Sequence, residues 1–562
     1  MKGTNFFCLV IIILISASFV TSSLLDDTPV SLSNSAFASA RSDYTENATK
    51  ITTGHSDSIC QPKQIHLANG VEPWSSMIVS FSTSCQPEDA SFSISYGFDP
   101  FYFDNSIHAD PDEHMTRYNH TQMINEMHEY VFYQSDYIYH VPLEGLQDNR
   151  RYFYQINLET EGTGNRTDGL QNGDSLDSLF DETRIPDSYH RVMGVSKMNN
   201  LRRHMTDETS TIVHPSVTST PFFHFTTAPI PGQSQNSDGD PIKIVVVGDL
   251  GQTYNSSMTM YHMLLEAEGH YVHGDDGVKA SLVMCAGDMS YADSNQTRWD
   301  KWFDLISPLG SRLPFMVAPG NHEEECDVVT KESFVAYENR FAMPKVRNAE
   351  RGVTGVKRHL TDPVNRQCMN RYDYGNSYYA FTYGTARIVM TNCFTNTTKG
   401  SFQYNFILDE LQSVNRTVTP WLFVVTHCPI YNTFNAHQNE TQTLQMQEAL
   451  EPLFVKYRVN IVFAGHTHGY MISKNVRFGF LDEKAPVYVI VGEGGNREGH
   501  VKHYLNDEEA EEWVEIRDNK EFGFGTVELL NKTHVKWKWI RNEDVDVAFV
   551  SHEYYIENQV FL

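Results

Sequence analysis

Five short polar blocks, each set directly behind a run of apolar residues, constrain this chain more than any other feature. They are Gly248-Asp249-Leu250-Gly251 after the run at 242–247, Gly287-Asp288-Met289-Ser290-Tyr291 after 280–286, Gly320-Asn321-His322-Glu323 after 315–318, His427 after 421–426, and Gly465-His466-Thr467-His468 after 460–463. Each run has the length of a buried strand, and helix-like stretches at 258–268, 298–305, 332–341, 402–414 and 444–457 separate them. A hairpin is predicted from 378–383 and 386–393 about Gly384, and one more strand from 487–491. Strands and helices in alternation predict a layered α/β domain, and such domains gather functional groups at strand ends.

Taken singly, the blocks are weak signals. Gly-Asp occurs five times, and the copies at Gly173, Gly239 and Gly274 sit in loop-like surroundings where the pair marks a turn. Asp249 and Asp288 differ because they end strands, with flanking glycines that permit a sharp exit and aim a carboxylate at the sheet edge. His466 and His468, two apart, project to one side if the backbone is extended. By itself Asn321 suits a turn cap and His427 a satisfied core position; within the series both read as ligands. Asp249, Asp288, Tyr291, Asn321, His427, His466 and His468 make seven donors, too many for one four-coordinate zinc and suited to two metals sharing a carboxylate. Imidazole with carboxylate fits first-row transition metals. A phenol with an ordinary pKa near ~10 becomes a ligand only beside a strongly polarising ion, so Tyr291 favours trivalent iron.

Charge agrees with a local metal centre. With 43 Lys and Arg against 71 Asp and Glu the formal charge is −28, which repels nucleic acid and anionic membrane surfaces. An anionic substrate then needs a local positive centre, and bound metal supplies one.

The N-terminal half reads differently. Lys2, the apolar run from Phe6 to Val20 and the small residues after it predict a secretory signal at 1–22, followed by a flexible leader at 23–56. No second apolar stretch is long enough to span a bilayer, so no stable membrane anchor is expected. Nine Asn-x-Ser/Thr sequons, at Asn47, Asn119, Asn165, Asn255, Asn295, Asn396, Asn415, Asn439 and Asn531, fit a glycoprotein. Short strands such as 77–81 and 152–156, without a helix of core length, predict an all-β sandwich over 57–228, interrupted by an insertion at about 159–215. Leu143-Glu144-Gly145-Leu146 before Tyr152 matches the approach to the tyrosine corner of immunoglobulin- and fibronectin-like sandwiches. A linker at 229–240 leads into the α/β domain at 241–562. Of eight cysteines Cys8 leaves with the signal, so one of the remaining seven lacks a partner within the chain. Cys60–Cys85 and Cys326–Cys368 are the expected disulfides, with Cys285, Cys393 and Cys428 expected as core residues. Residues 344–372 carry Lys345, Arg347, Arg351, Lys357, Arg358, Arg366 and Arg371, a solvated loop or a rim that attracts polyanions.

The series Asp249, Asp288 with Tyr291, Asn321-His322-Glu323, His427, and His466 with His468 resembles the five-block metallophosphoesterase pattern in its purple acid phosphatase form. The region before it is similar to the N-terminal domain of the long, plant-type members. Protein serine/threonine phosphatases share Gly-Asn-His-Glu, but the tyrosine after Gly-Asp and the Gly-His-x-His ending belong to the purple branch. The resemblance implies a dinuclear centre of Fe(III) and a divalent ion (Zn, Mn or Fe(II)). In it Asp249, Tyr291 and His468 hold the iron, Asn321, His427 and His466 the divalent ion, and Asp288 bridges them. It implies an acid phosphatase that attacks phosphate monoesters with a metal-activated hydroxide, with His322 and His437 binding phosphate and protonating the leaving group. The family often has a second histidine just before the latter; here that position is Ala436. Gly494 to Gly499 also resembles a segment lining the family site, without an assigned role. The implied partner is a small phosphate ester, the implied location the secretory pathway (secreted or vacuolar/lysosomal), and a homodimer is common among long members. Phosphodiester or nucleotide pyrophosphate hydrolysis on the same core stays open, as does a non-catalytic glycoprotein whose sandwich binds a partner.

Overall fold

Period-two alternation in the N-terminal region produces two facing sheets, seen here in a computed structural model that describes residues 60–123, 130–160, 216–269, 274, 277–344, 372–544 and 547–561. The expected signal and leader, nearly all of the 159–215 insertion, the seven basic residues of 344–372 and Cys368 lie outside the described residues. One sheet runs Lys63–Asn69, Ser76–Thr83, Tyr137–Glu144, Met115–Thr116; the other runs Ser216–Ser219, Arg151–Thr160, Ser91–Gly97, Asn105–His108, with Phe223–Thr226 also on Arg151–Thr160. Leu67, Val79, Phe81, Phe92, Ile94, Val141, Tyr154 and Ile156 fill the space between them. The tyrosine corner is present, since the Gln147 N–H donates to the Tyr152 hydroxyl at 2.8 Å. Cys60 pairs with Cys85 as expected.

The second region is a pair of mixed sheets with helices outside. The six-stranded sheet has the order Phe315–Val317, Ala280–Cys285, Ile242–Val247, Gly523–Leu529, His534–Asp544, Val547–Glu557. Its first three strands are parallel and the C-terminal three antiparallel. The seven-stranded sheet runs Tyr379–Tyr383, Ala386–Met390, Trp421–Val425, Ile461–Ala464, Val487–Val491, Tyr470–Ser473, Val514–Asp518. Val245, Val247, Phe423, Ile461, Phe463 and Trp537 share one core between the sheets, with Phe463 and Trp537 rings 5.5 Å apart. Helices Phe402–Ser413 and Thr441–Lys456 cover the outer face of the seven-stranded sheet.

Local chemistry sets the helix ends. Tyr254–Glu268 starts on a Thr253 capping box and stops at Gly269, whose φ of 71° only glycine adopts at little cost. The helix expected at 332–341 is shorter, Val335–Arg340, because Phe334 takes φ 59°. Cys393 and Cys428 are not separate core residues as expected: they form a disulfide across the exits of two neighbouring strands. Cys285 is the free, buried thiol among the described residues.

Candidate metal centre

All five polar blocks stand at the carboxyl ends of parallel strands, three from one sheet and two from the other. Main-chain bonds stitch the exits together. The N–H groups of Asp249, Leu250 and Gly251 donate to the carbonyls of Gly287, Asp288 and Met289 at 3.0, 3.1 and 2.8 Å, and that of Gly465 donates to His427 at 3.0 Å. These turns are tight enough that Asp249, Asp288, Tyr291 and His466 themselves take left-handed backbone, with φ of 55°, 52°, 51° and 67°. Such conformations cost on the order of 1 kcal/mol or more each and persist where the surroundings over-determine them. Flanking glycine carries only part of the turns, at Gly251 with φ 67° and Gly287 with φ 91°. Gly320 is required for another reason, since a Cβ there would meet Asp288 Oδ1.

The seven expected donors come together. Asp288 is buried with Oδ2 3.1 Å from His427 Nε2, and its Oδ1 accepts the His322 N–H at 2.9 Å. Asn321 Oδ1 is also 3.1 Å from His427 Nε2, and the His466 ring lies 4.8 Å from that of His427. Opposite, the Tyr291 hydroxyl is 3.2 Å from Asp249 Oδ1 and 2.9 Å from His468 Nε2, while Asp249 Oδ2 accepts the His466 N–H at 2.8 Å. The segment carrying His466 and His468 is not extended. With His466 at φ 67° it bends, so one imidazole turns towards His427 and the other towards Asp249 and Tyr291.

His322 and His437 flank this cluster. His322 stacks on Tyr291 at 4.1 Å, its Nε2 3.9 Å from Asp288 Oδ2, and its Nδ1 bonds Asp293, which Arg497 grips in turn. Burial works against a charged His322, but Asp293 and Asp288 overcome it and raise its pKa to about 9. His437 stacks on His466 at 3.8 Å. Residues without an expected role also enter. Glu440 touches His437 and His466; Glu323 accepts the Asp288, Met289 and Gly320 N–H groups; Arg497 donates to the Tyr291 carbonyl at 2.5 Å. The sequence signal for Glu440 is its place three residues after His437, and that for Arg497 is the 494–499 segment.

The residues fit metal ions on their own chemistry. His427 Nδ1 is 2.7 Å from the Ala286 carbonyl and His468 Nδ1 3.0 Å from that of Gly499, so each presents Nε2 to the cluster. Burial opposes charge on His427, yet Asp288 raises its pKa to about 10. Carboxylates this deep demand positive charge beside them, and cations satisfy it. Burial and the nearby Asp249 and Asp288 push the Tyr291 phenol well above its ordinary range, so only a strongly polarising ion makes it a phenolate.

Comparisons with known proteins follow the same outline. Family models match in succession: "Purple acid Phosphatase, N-terminal domain" at residues 62–169, "Calcineurin-like phosphoesterase" at 242–470, and "Iron/zinc purple acid phosphatase-like protein C" at 485–548. Purple acid phosphatase 18 of Arabidopsis thaliana is 34% identical over 304 residues, 54% of this chain and 60% of its own. Phosphoenolpyruvate phosphatase of Allium cepa is 27% identical over 519 residues, 88% of this chain and 83% of its own. Fe(3+)-Zn(2+) purple acid phosphatase 12 of Arabidopsis thaliana is 30% identical over 54% of this chain and 60% of its own. The matched stretch thus spans three fifths of the length of both Arabidopsis relatives. The solved structure of purple acid phosphatase PPD1 from yellow lupin (Lupinus luteus) seeds shares the fold at 18% identity, with a TM-score of 0.59 over 89% of this chain and 74% of that one.

Proposed function

The chain belongs to the purple acid phosphatase family of calcineurin-like phosphoesterases, and from that premise we propose that it is an acid phosphatase, hydrolysing small phosphate monoesters at a pair of metal ions. One observation carries the reading: a buried carboxylate, Asp288, within a cluster of six further donors, with a carboxylate, a phenol and one imidazole on one side and an amide oxygen and two imidazoles on the other. On one side Asp249, Tyr291 and His468 would hold Fe(III); on the other Asn321, His427 and His466 would hold a divalent ion, with Asp288 serving both. The relative named for Fe(3+) and Zn(2+) makes zinc the first divalent ion to test, ahead of manganese and ferrous iron. Such ions, when bound, lower the pKa of water and draw charge from phosphoryl oxygens.

The remaining steps belong to side chains. His322, packed on Tyr291 and held by Asp293, faces the cluster and binds a phosphoryl oxygen there. His437, whose Nδ1 is tied to Glu440, directs Nε2 at the leaving oxygen and delivers the proton an alkoxide needs. Asp293 and Arg497 position His322, and Arg497 also donates to the Tyr291 carbonyl.

The exposed sequon residues Asn119, Asn295, Asn396, Asn415, Asn439 and Asn531, together with the disulfides, support a secretory glycoprotein, secreted or vacuolar/lysosomal. Among the described residues no helix is long and apolar enough to cross a membrane. A homodimer is the assembly to look for by light scattering.

The test is turnover of a chromogenic phosphomonoester, its bis-ester and phosphoenolpyruvate from acidic to neutral pH, by the purified chain and its Asp288→Asn variant. We expect mono-ester cleavage in acid that falls by at least about 100-fold in the variant. Bis-ester preference would transfer the reading to phosphodiester hydrolysis, and equal rates for the two proteins would end it.

A further inference from the structure

Glu440 stands outside the seven donors, yet its carboxylate is divided between two histidines of the site. Oε1 lies 2.9 Å from His437 Nδ1 and Oε2 2.9 Å from His466 Nε2, and the two imidazoles stack with centroids 3.8 Å apart. A carboxylate accepts, so both of these nitrogens carry hydrogens. For His466 this fixes the tautomer: with Nε2–H given to Glu440, the lone pair sits on Nδ1, the nitrogen left for an ion. His427 and His468 are set in the opposite sense, each with Nδ1 at a backbone carbonyl. Of these three imidazoles His466 alone has the ring nitrogen turned away from the ion held by a side chain outside the seven donors, which mutation can remove.

Glu440 is itself anchored. It is the residue before helix Thr441–Lys456, with extended backbone at φ −65° and ψ 139°, and Gln442 Nε2 donates to its Oε2 at 2.6 Å. The fork therefore rests on a 16-residue helix packed on the seven-stranded sheet. A loop with His437 at φ 56° and Asn439 at φ 59° curls back to it.

We infer that Glu440 is a positioning residue that orients His466 for the divalent ion with one oxygen and holds the leaving-group acid His437 over the same site with the other. The inference rests on the dinuclear reading above. Its consequence is that divalent-ion affinity and proton delivery share one side chain, while the ferric side, built from Asp249, Tyr291 and His468, makes no contact with it.

The experiment loads full-length protein, wild type, Glu440→Gln and Glu440→Ala, with iron and zinc. Zinc retention is followed by elemental analysis during chelator titration, with the phenolate-to-iron absorption of Tyr291 as internal reference for the ferric half. Both variants should keep that absorption while zinc affinity falls about 10–100-fold, as for lost carboxylate partners of metal-bound histidines. Their kcat should fall further for an alkyl phosphate, whose leaving group needs the proton, than for a nitrophenyl phosphate. Unchanged zinc affinity with the absorption intact overturns the inference alone. Loss of iron and zinc together in both variants overturns it as well, because the effect is then collapse rather than positioning. A wild-type protein that takes up no metal pair removes the dinuclear reading, and the inference with it.

Discussion

At the scale of single residues, the site depends on a carboxylate that touches no ligand side chain. Glu323 is buried and receives three backbone N–H groups, from Asp288 at 2.8 Å and from Met289 and Gly320 at 2.9 Å. Burial and the neighbouring Asp288 raise its pKa to about 8. Replacing it by glutamine puts an NH2 where N–H donors converge, and an orphaned buried donor costs about 1–3 kcal/mol. Glu323→Gln should therefore lower stability by about 1–3 kcal/mol, read as a fall in Tm above pH 8, where Glu323 is ionised, and should loosen Asp288 enough to depress turnover. An unchanged Tm would show that other contacts hold the loop. The sequence displays Glu323 beside Asn321 and His322 but cannot say which N–H groups its oxygens accept. That depends on the left-handed turns at Asp249 and Asp288, which bring three chain segments to one point. Glu440 is hidden for the same reason: its spacing from His437 is visible, while its approach to His466, 26 residues on, is created by the fold. The clustering of the seven residues was legible because strand ends are marked by abrupt changes from apolar to polar residues.

At the scale of elements, the exits of Ala386–Met390 and Trp421–Val425 are joined covalently by Cys393–Cys428, the second cysteine directly following His427. The two cysteines sit in apolar strand patterns, and that setting alone suits buried thiols equally well; the pairing follows from parallel register, which places the two strand ends side by side. A native disulfide closing 35 residues contributes about 2–4 kcal/mol. Paired Cys393→Ser and Cys428→Ser substitutions should lower Tm and weaken divalent-ion retention, while the same treatment of Cys60 and Cys85, in the sandwich, should lower Tm only. Comparable ion loss in both pairs would refute the local link to His427. Most strands were readable as apolar runs, but the C-terminal ones that complete the six-stranded sheet were not. In His534–Asp544 Lys536 and Lys538 alternate with Val535, Trp537 and Trp539. The structure buries Lys538 against Glu528 at 2.9 Å, with Lys243 paired to Glu266 at 2.7 Å in the same network. Buried ion pairs erase the hydrophobic pattern on which strand reading relies.

For the whole molecule, the sandwich and the phosphoesterase region meet along a polar and aromatic seam centred on His66. Its Nδ1 is 2.9 Å from the Gln64 carbonyl and its Nε2 3.1 Å from the Arg340 carbonyl, and its ring packs on Phe303 at 4.8 Å. Around it Arg340 bonds Tyr118 and Asp300 at 2.7 Å, and Tyr154 donates to the Ser311 carbonyl at 2.8 Å. Burial lowers the His66 pKa to about 4, outweighing the two carbonyls that would accept a proton from it. The folded value lies below the ordinary 6.5, so the unfolded chain binds the extra proton. The stability His66 contributes is complete above pH 6.5 and is lost as pH falls towards 4. At pH 4.5 that loss amounts to about 2 kcal/mol, a sizeable share for a protein read as working in acid. His66→Gln keeps a polar side chain in the seam but has no proton to gain. Thermal denaturation from pH 7 to 4.5 should show a smaller acid-induced drop in the variant, by about 2 kcal/mol, even where its stability at pH 7 is lower than that of wild type. Limited proteolysis should then cut between the sandwich and the phosphoesterase region more slowly in the variant at pH 4.5, relative to its own rate at pH 7. Parallel pH profiles for the two proteins would place the acid sensitivity in other groups, and His224, whose pKa burial also lowers to about 4, would be the next to replace.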